Sequence, residues 1–299
     1  MKNLVKGTRK DWVNLGLLLT LPMIIWIGFV MIYPVIYNVW LSINNVRLIT
    51  PGGGFVGFDN FVKLLVNTEF RTSFLNDFVW TSGSVFSEVP IGLGIALLLN
   101  TKTKFRRLFR TLIILPWLTP AYATVFTWKI MFMPLYGFFN YVLKIVGLIK
   151  TDIVWLATTT PINLVMLSCI IVNVWRGLPF TIVILLAGLQ SINPDMYEVA
   201  EVDGASVFQE FRYITLPALK TMIAVVIILK TVWYFNYFDI VWLMTRGGPG
   251  MATEILPIEV YITAFYNFQL SQAAAISVTM FLVLAIFAVA YFRLTSKGD

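Results

Sequence analysis

Six stretches, each close to or beyond twenty residues and nearly free of charge, constrain this chain more than any other feature: 15–41, 78–100, 111–128, 161–189, 221–242 and 273–292. A lipid core about 30 Å thick is crossed by about 20 apolar residues of helix at roughly 1.5 Å each, so each stretch is the length of a membrane span. Lipid offers backbone N–H and C=O groups no partner, and runs this long satisfy them as helices rather than as the shorter alternating strands of a barrel. With 59% of its residues apolar or aromatic and only 12% charged, the chain is too apolar for a water-facing surface of ordinary size. The reading is an all-α integral membrane protein, a single domain over 1–299 with six transmembrane helices. The 27 uncharged residues of the first run exceed the roughly 7–15 of a secretory signal and predict a retained span.

Lysines and arginines set the orientation. With the N-terminus inside, the cytoplasmic side holds Lys2, Lys6, Arg9 and Lys10, the cluster Lys102, Lys104, Arg106, Arg107 and Arg110, then Arg212, Lys220, Arg293 and Lys297. Only Arg47, Lys63, Arg71, Lys129, Lys144, Lys150 and Arg246 fall on the other side, so the positive-inside rule puts both termini in the cytoplasm. Orientation and anionic membrane lipid account for the net charge of +7, and no basic groove or RNA motif points to nucleic acid. There is no histidine, which removes His-based metal sites and Ser-His catalysis from this chain. The single cysteine, Cys169, lies in an apolar run and reads as a small core residue. Outside the membrane, the apolar stretch 131–143 is too short to span and is placed at the outer interface.

The cytoplasmic loop 193–217 breaks the positive pattern with Asp195, Glu198, Glu201, Asp203 and Glu210 against Arg212. Asn193 suits a helix N-cap, Pro194 the first helical position and Asp195 the positive end of the helix dipole. The short helix that starts there ends at Gly204, with Met196, Ala200 and Asp203 on one face beside Tyr197. A second turn begins near Ser206, and its Phe208, Phe211 and Tyr213 are expected to anchor the pair under the bundle before Pro217 breaks the chain.

Glu198-Val199-Ala200, Asp203-Gly204-Ala205 and Ile214-Thr215-Leu216-Pro217 resemble the EAA loop of binding-protein-dependent ABC importer permeases. Thr245-Arg246-Gly247-Gly248-Pro249 with Thr253 resembles the external segment of the maltose-type carbohydrate permeases. The likeness covers nearly the whole chain and implies the type I importer permease fold in the cytoplasmic (inner) membrane of a prokaryote. It also implies a coupling helix seated in a partner ATPase, with Glu198, Ala200, Asp203, Gly204 and Ala205 as coupling residues. Val199 departs from the family's usual alanine. The implied partners are a second homologous permease, two ATPase subunits or domains and an extracytoplasmic solute-binding protein. The chain lacks a G-x-x-x-x-G-K-[ST] phosphate loop with which to cradle ATP, and the resemblance implies that ATP and Mg are held by the ATPase partner, with no cofactor expected on this chain. The resemblance implies a transport subunit, not an enzyme.

Charges within spans are costly, about 2.5–3.5 kcal/mol each, so Glu88, Arg176, Lys230 and Asp239 are expected to face protein or a wet cavity. Lys230, Trp233, Tyr234 and Tyr237 form a stripe on one face of the fifth span, and Asn173, Arg176, Gly177 and Phe180 form another on the fourth. Rings that match the apolar faces of pyranoses, next to groups that take hydroxyls, give a sugar or oligosaccharide as the leading solute. Two alternatives stay open for the stripe: helix packing with Lys230 or Arg176 paired to Glu88, and an acidic solute such as glycerol 3-phosphate or a uronide. A rival from another class, an ion-coupled secondary transporter, is expected to show paired halves with interrupted helices, and none is visible.

Overall fold

A computed structural model describes residues 9–49, 53–101, 106–160 and 162–296. Lys2, Lys6, Lys102, Lys104, Lys297 and Pro161 lie outside the described residues. The chain divides into two units, one formed by Met1–Val66 with Ile262–Thr279 and the other by Asn67–Tyr261 with Met280–Asp299.

In the first unit, α1 (Arg9–Ile27) and α2 (Tyr33–Ser42) join through a π turn at Gly28–Ile32 into one long apolar helix. The buried Asn60 of α3 (Asp59–Val66) donates to the carbonyls of Ser42 and Asn44, both at 2.8 Å, tying α3 to the end of that helix. Ser271 accepts from the Val46 amide at 2.7 Å.

The second unit is built on α4 (Thr68–Asn100), which packs along α8 (Leu164–Gln190) and α11 (Leu216–Phe235). Val85, Val89 and Ala96 of α4 meet Ile182 and Leu185 of α8 and Leu219 and Val226 of α11 in one buried cluster. Between α4 and α8 lie α5 (Arg106–Leu118), α6 (Ala121–Met131) and α7 (Phe138–Ile145); between α8 and α11 lie α9 (Asp195–Val202) and α10 (Val207–Glu210). After α11 come α12 (Asp239–Thr245), α13 (Leu256–Tyr261) and α14 (Leu270–Ser296), the last running from the first unit into the second.

Spans one, two, four and six appear as helices at Leu15–Ser42, Thr68–Asn100, Leu164–Gln190 and Leu270–Arg293. The third differs from the straight rod expected at 111–128: Arg107–Leu118 and Ala121–Met131 meet at 98°. Pro120 supplies the break, because it has no N–H to continue α5 and disfavours helical backbone at Thr119. The fifth also differs from 221–242. The helix runs over Val207–Phe235, straight through Pro217, and stops at Asn236, leaving Asp239 on a separate short helix. Pro217 does not break the chain because it sits in the first turn of α11, next to a π turn at Phe211–Thr215 that relieves the clash of its ring with the preceding turn.

Candidate functional site

The loop after α8 is a pair of short helices with a built corner. Asn193 accepts from the Asp195 amide at 3.1 Å, which opens α9 as its residue type requires. At the other end the Gly204 amide bonds the Glu201 carbonyl at 3.1 Å and the Ala205 amide reaches back to the Ala200 carbonyl at 2.9 Å. This double closure needs left-handed backbone at the corner, and Gly204 takes it with φ +77°. Ser206 and Gln209 then cap α10 reciprocally, Gln209 Oε1 accepting from the Ser206 amide at 2.7 Å. Glu198 and Asp203 are exposed, Ala200 and Ala205 half-buried.

The expected anchoring by Phe208 and Tyr213 does not occur, since they are 70% and 71% exposed; Phe211 is half-buried. The tie to α11 is polar instead, a 2.9 Å hydrogen bond between the Tyr197 and buried Thr215 hydroxyls. Val202 and Val207 stand out on either side of the corner, 88% and 81% exposed.

At mid-depth the two predicted stripes meet α4. Lys230 is 2% exposed and Glu88 fully buried, and their side chains form an ion pair at 2.6 Å. The ammonium also donates to the Gly177 carbonyl at 3.0 Å and to the Tyr234 hydroxyl at 3.2 Å, so all three of its protons are placed. Tyr234 in turn donates to Glu88 Oε2, and Thr181 donates to Oε1 at 2.5 Å. The cluster fits against α8 only because residue 177 has no Cβ: one placed there would strike the Tyr234 hydroxyl and come within 2.6 Å of Glu88 and 3.0 Å of Lys230. Trp80 of α4 completes the enclosure, donating to the Tyr234 carbonyl at 3.0 Å.

In front of this pair lie the rings. Phe180 and Trp233 sit 4.8 Å apart, and the Lys230 ammonium lies 5.2 Å and 5.8 Å from their centroids. Trp233 remains 45% exposed and Phe180 half-buried, so they present the open side of the cluster. Arg176 donates to the Tyr237 hydroxyl on the same stripes. Of the residues singled out from the sequence, the structure thus joins Gly177, Lys230 and Tyr234, stacks Phe180 on Trp233, and sets Asn173 apart, buried against Ser84 of α4 at 3.1 Å. Trp117, 54% exposed and 6.4 Å from Phe180, was not anticipated. Its signal was its place between Pro116 and Pro120, where a helix must bend.

The external segment is tied down tightly. Thr245 and Thr253 close it hydroxyl to hydroxyl at 2.6 Å, Thr253 also bonds the Gly248 carbonyl at 2.9 Å, and Gly248-Pro249 is cis. Asn76 of α4 and Asn163 before α8 hold the carbonyls of Met251 and Ala252, each at 2.7 Å.

A helical membrane subunit with a projecting two-helix loop on one side and a polar, ring-faced core at mid-depth has the architecture of a transport component. Residues 88–297 match the family described as binding-protein-dependent transport system inner membrane component, and the chain belongs to that family. It is 35% identical over 294 residues to the trehalose/maltose transport system permease protein MalF of Thermococcus litoralis, covering 97% of each chain. It is also 31% identical to the galactooligosaccharides transport system permease protein GanP of Bacillus subtilis, over 92% of this chain and 69% of that protein. Among solved structures, a bacterial alginate ABC transporter in complex with its alginate-bound periplasmic protein shares the fold, with a TM-score of 0.82 at 23% identity over 98% of this chain and 97% of that one.

Proposed function

We propose that this inner-membrane subunit forms the solute path of an ATP-driven, binding-protein-dependent importer for a sugar or oligosaccharide. The observation that carries the reading is the half-open Phe180–Trp233 pair at mid-depth, flanked by the hydrogen-bonded Arg176–Tyr237 pair. Rings of this kind take the apolar faces of pyranoses, and hydrogen-bonding groups beside them take hydroxyls. The names of the two curated relatives support a saccharide. Trp233, Phe180 and Tyr237 act as solute contacts, while Gly177, Lys230 and Tyr234 shape the wall behind them and Asn173 braces α8 against α4.

Energy enters mechanically. The α9–α10 corner, with Glu198, Ala200, Asp203, Gly204 and Ala205, seats in an ATPase partner that holds ATP and Mg, and its movement switches the path between outward and inward states. A second permease completes the membrane pair, and a solute-binding protein delivers from outside.

Purification of the tagged chain in gentle detergent, beside a Gly204→Asp variant, tests this. An ATPase and a second permease are expected to co-purify with the natural chain, and the ATPase to be lost from the variant, which adds a side chain and a negative charge at the left-handed corner. A stable, transport-active chain recovered with no ATPase would overturn the reading in favour of an ion-coupled transporter.

A further inference from the structure

The rings that face the path lie directly over a buried charge. Lys230 sits behind both Phe180 and Trp233, within 5.2 Å and 5.8 Å of their centroids, so a sugar stacked on those rings would lie about 10 Å from its ammonium. At that separation in a poorly solvated core, an uncancelled lysine would act strongly on any charged group of the solute. Glu88 prevents this. It reaches Lys230 from α4, and its two oxygens are held by Thr181 and Tyr234 in an orientation that keeps the pair closed. The second cation of the stripes, Arg176, donates to the Tyr237 hydroxyl and is not part of the Glu88–Lys230 pair.

We propose that Glu88 is a specificity-determining residue of the solute path: by cancelling the charge of Lys230 behind the Phe180–Trp233 face, it makes the path select uncharged saccharides over acidic ones. This rests on the sugar-path reading above and names the class of sugar. Glu88 touches no solute. It acts through Lys230, and its effect differs in kind from packing, because packing alone makes no distinction between a sugar and the same sugar bearing a carboxylate.

The test uses the intact importer in detergent without its binding protein, so that the latter's own selectivity stays out of the measurement. Two probes are compared by equilibrium binding: maltotriose, and maltotriose with C6 of its terminal glucose oxidised to a carboxylate. The natural importer is expected to favour the neutral probe. Glu88→Gln, assayed at about pH 6 so that the now unpaired Lys230 keeps its proton while the probe's carboxylate stays ionised, is expected to shift the ratio of affinities towards the acidic probe by about tenfold. Glu88→Gln/Lys230→Met, which removes both charges at nearly constant volume, is expected to restore the neutral preference. Should Glu88→Gln fail to assemble, Lys230→Met assayed at about pH 9, where the unpaired Glu88 is ionised, carries the test with the opposite sign and drives the ratio further from the acidic probe. A natural importer that prefers the neutral probe while the assembled variants keep its ratio would overturn the role of Glu88 alone. A natural importer that binds neither probe would overturn the sugar reading and this inference with it.

Discussion

A buried ion pair is stable only where its partners are complete, and the pair at the centre of this protein depends on a residue with no side chain at all. The Gly177 carbonyl takes one Lys230 proton, and the missing Cβ leaves room for the Tyr234 hydroxyl. Gly177→Ala is therefore expected to lower the stability of the assembled importer by about 1–3 kcal/mol, as overpacked cores do. Adding Tyr234→Phe, which removes the oxygen that collides first, is expected to recover part of that loss. Thermal unfolding of the two single variants and the double checks it, and strictly additive losses would show that the two positions do not meet. Much of this was legible in the sequence. Spacing put Lys230 and Tyr234 on one face of the fifth span and Gly177 on the stripe of the fourth, and the cost of charge in lipid required Lys230 to find a partner. Two partners stayed open, solute or Glu88, because a periodicity gives the face of one helix and not its rotation against another.

At the scale of elements, α13 and the outer end of α4 hold a buried acid. Glu259 is 4% exposed, in the external segment between the fifth and sixth spans. Burial pushes its carboxyl up to about 7, the nearby Glu254 and Glu69 carboxylates push the same way, and Ser73 opposes them. A raised folded value means that the native state keeps a proton the unfolded chain has released. This contribution to stability is thus complete below about 4.5 and is lost as pH rises through about 7. The loss is on the order of 3 kcal/mol. Unfolding of the natural importer is expected to occur at falling temperature as pH rises across that window, and Glu259→Gln to flatten the slope; an unchanged slope would remove Glu259 as its source. The burial was not legible, since the α13 segment is short and apolar and only its docking on α4 excludes water from the acid. The same gap between composition and geometry hid the 98° bend in the third span. A hydropathy window through 111–128 sees apolar residues on both sides of Pro120 and cannot see direction. At the loop, by contrast, Asn193, Gly204 and Ser206 act through local backbone chemistry, which needs no partner helix to be read.

The whole molecule exposes apolar surface of two kinds, and their surroundings separate them. The apolar heart of the first span is exposed along its length, as suits a helix bathed in lipid or in other membrane helices. Val202 and Val207 lie instead on an acidic loop between two spans, with Glu198, Glu201 and Asp203 exposed beside them, in water rather than lipid. An apolar knob ringed by charge on the wet side of a membrane is stable in isolation only at the expense of solubility, and a protein partner removes that penalty. The chain carries its own reporter for this, because its single cysteine, Cys169, is fully buried and should stay silent to a membrane-impermeant maleimide. Val202→Cys places a second thiol at an 88% exposed position of the loop. Labelling is expected in inside-out vesicles and not in right-side-out ones, following the lysine and arginine bias that puts this loop in the cytoplasm. Co-expression of the ATPase is expected to leave only a minor fraction of that thiol reactive, because the corner would then sit in a protein cleft. Labelling from the outer face would invert the topology. Labelling from the inner face that the ATPase leaves untouched would keep the topology and move the contact surface away from the α9–α10 corner.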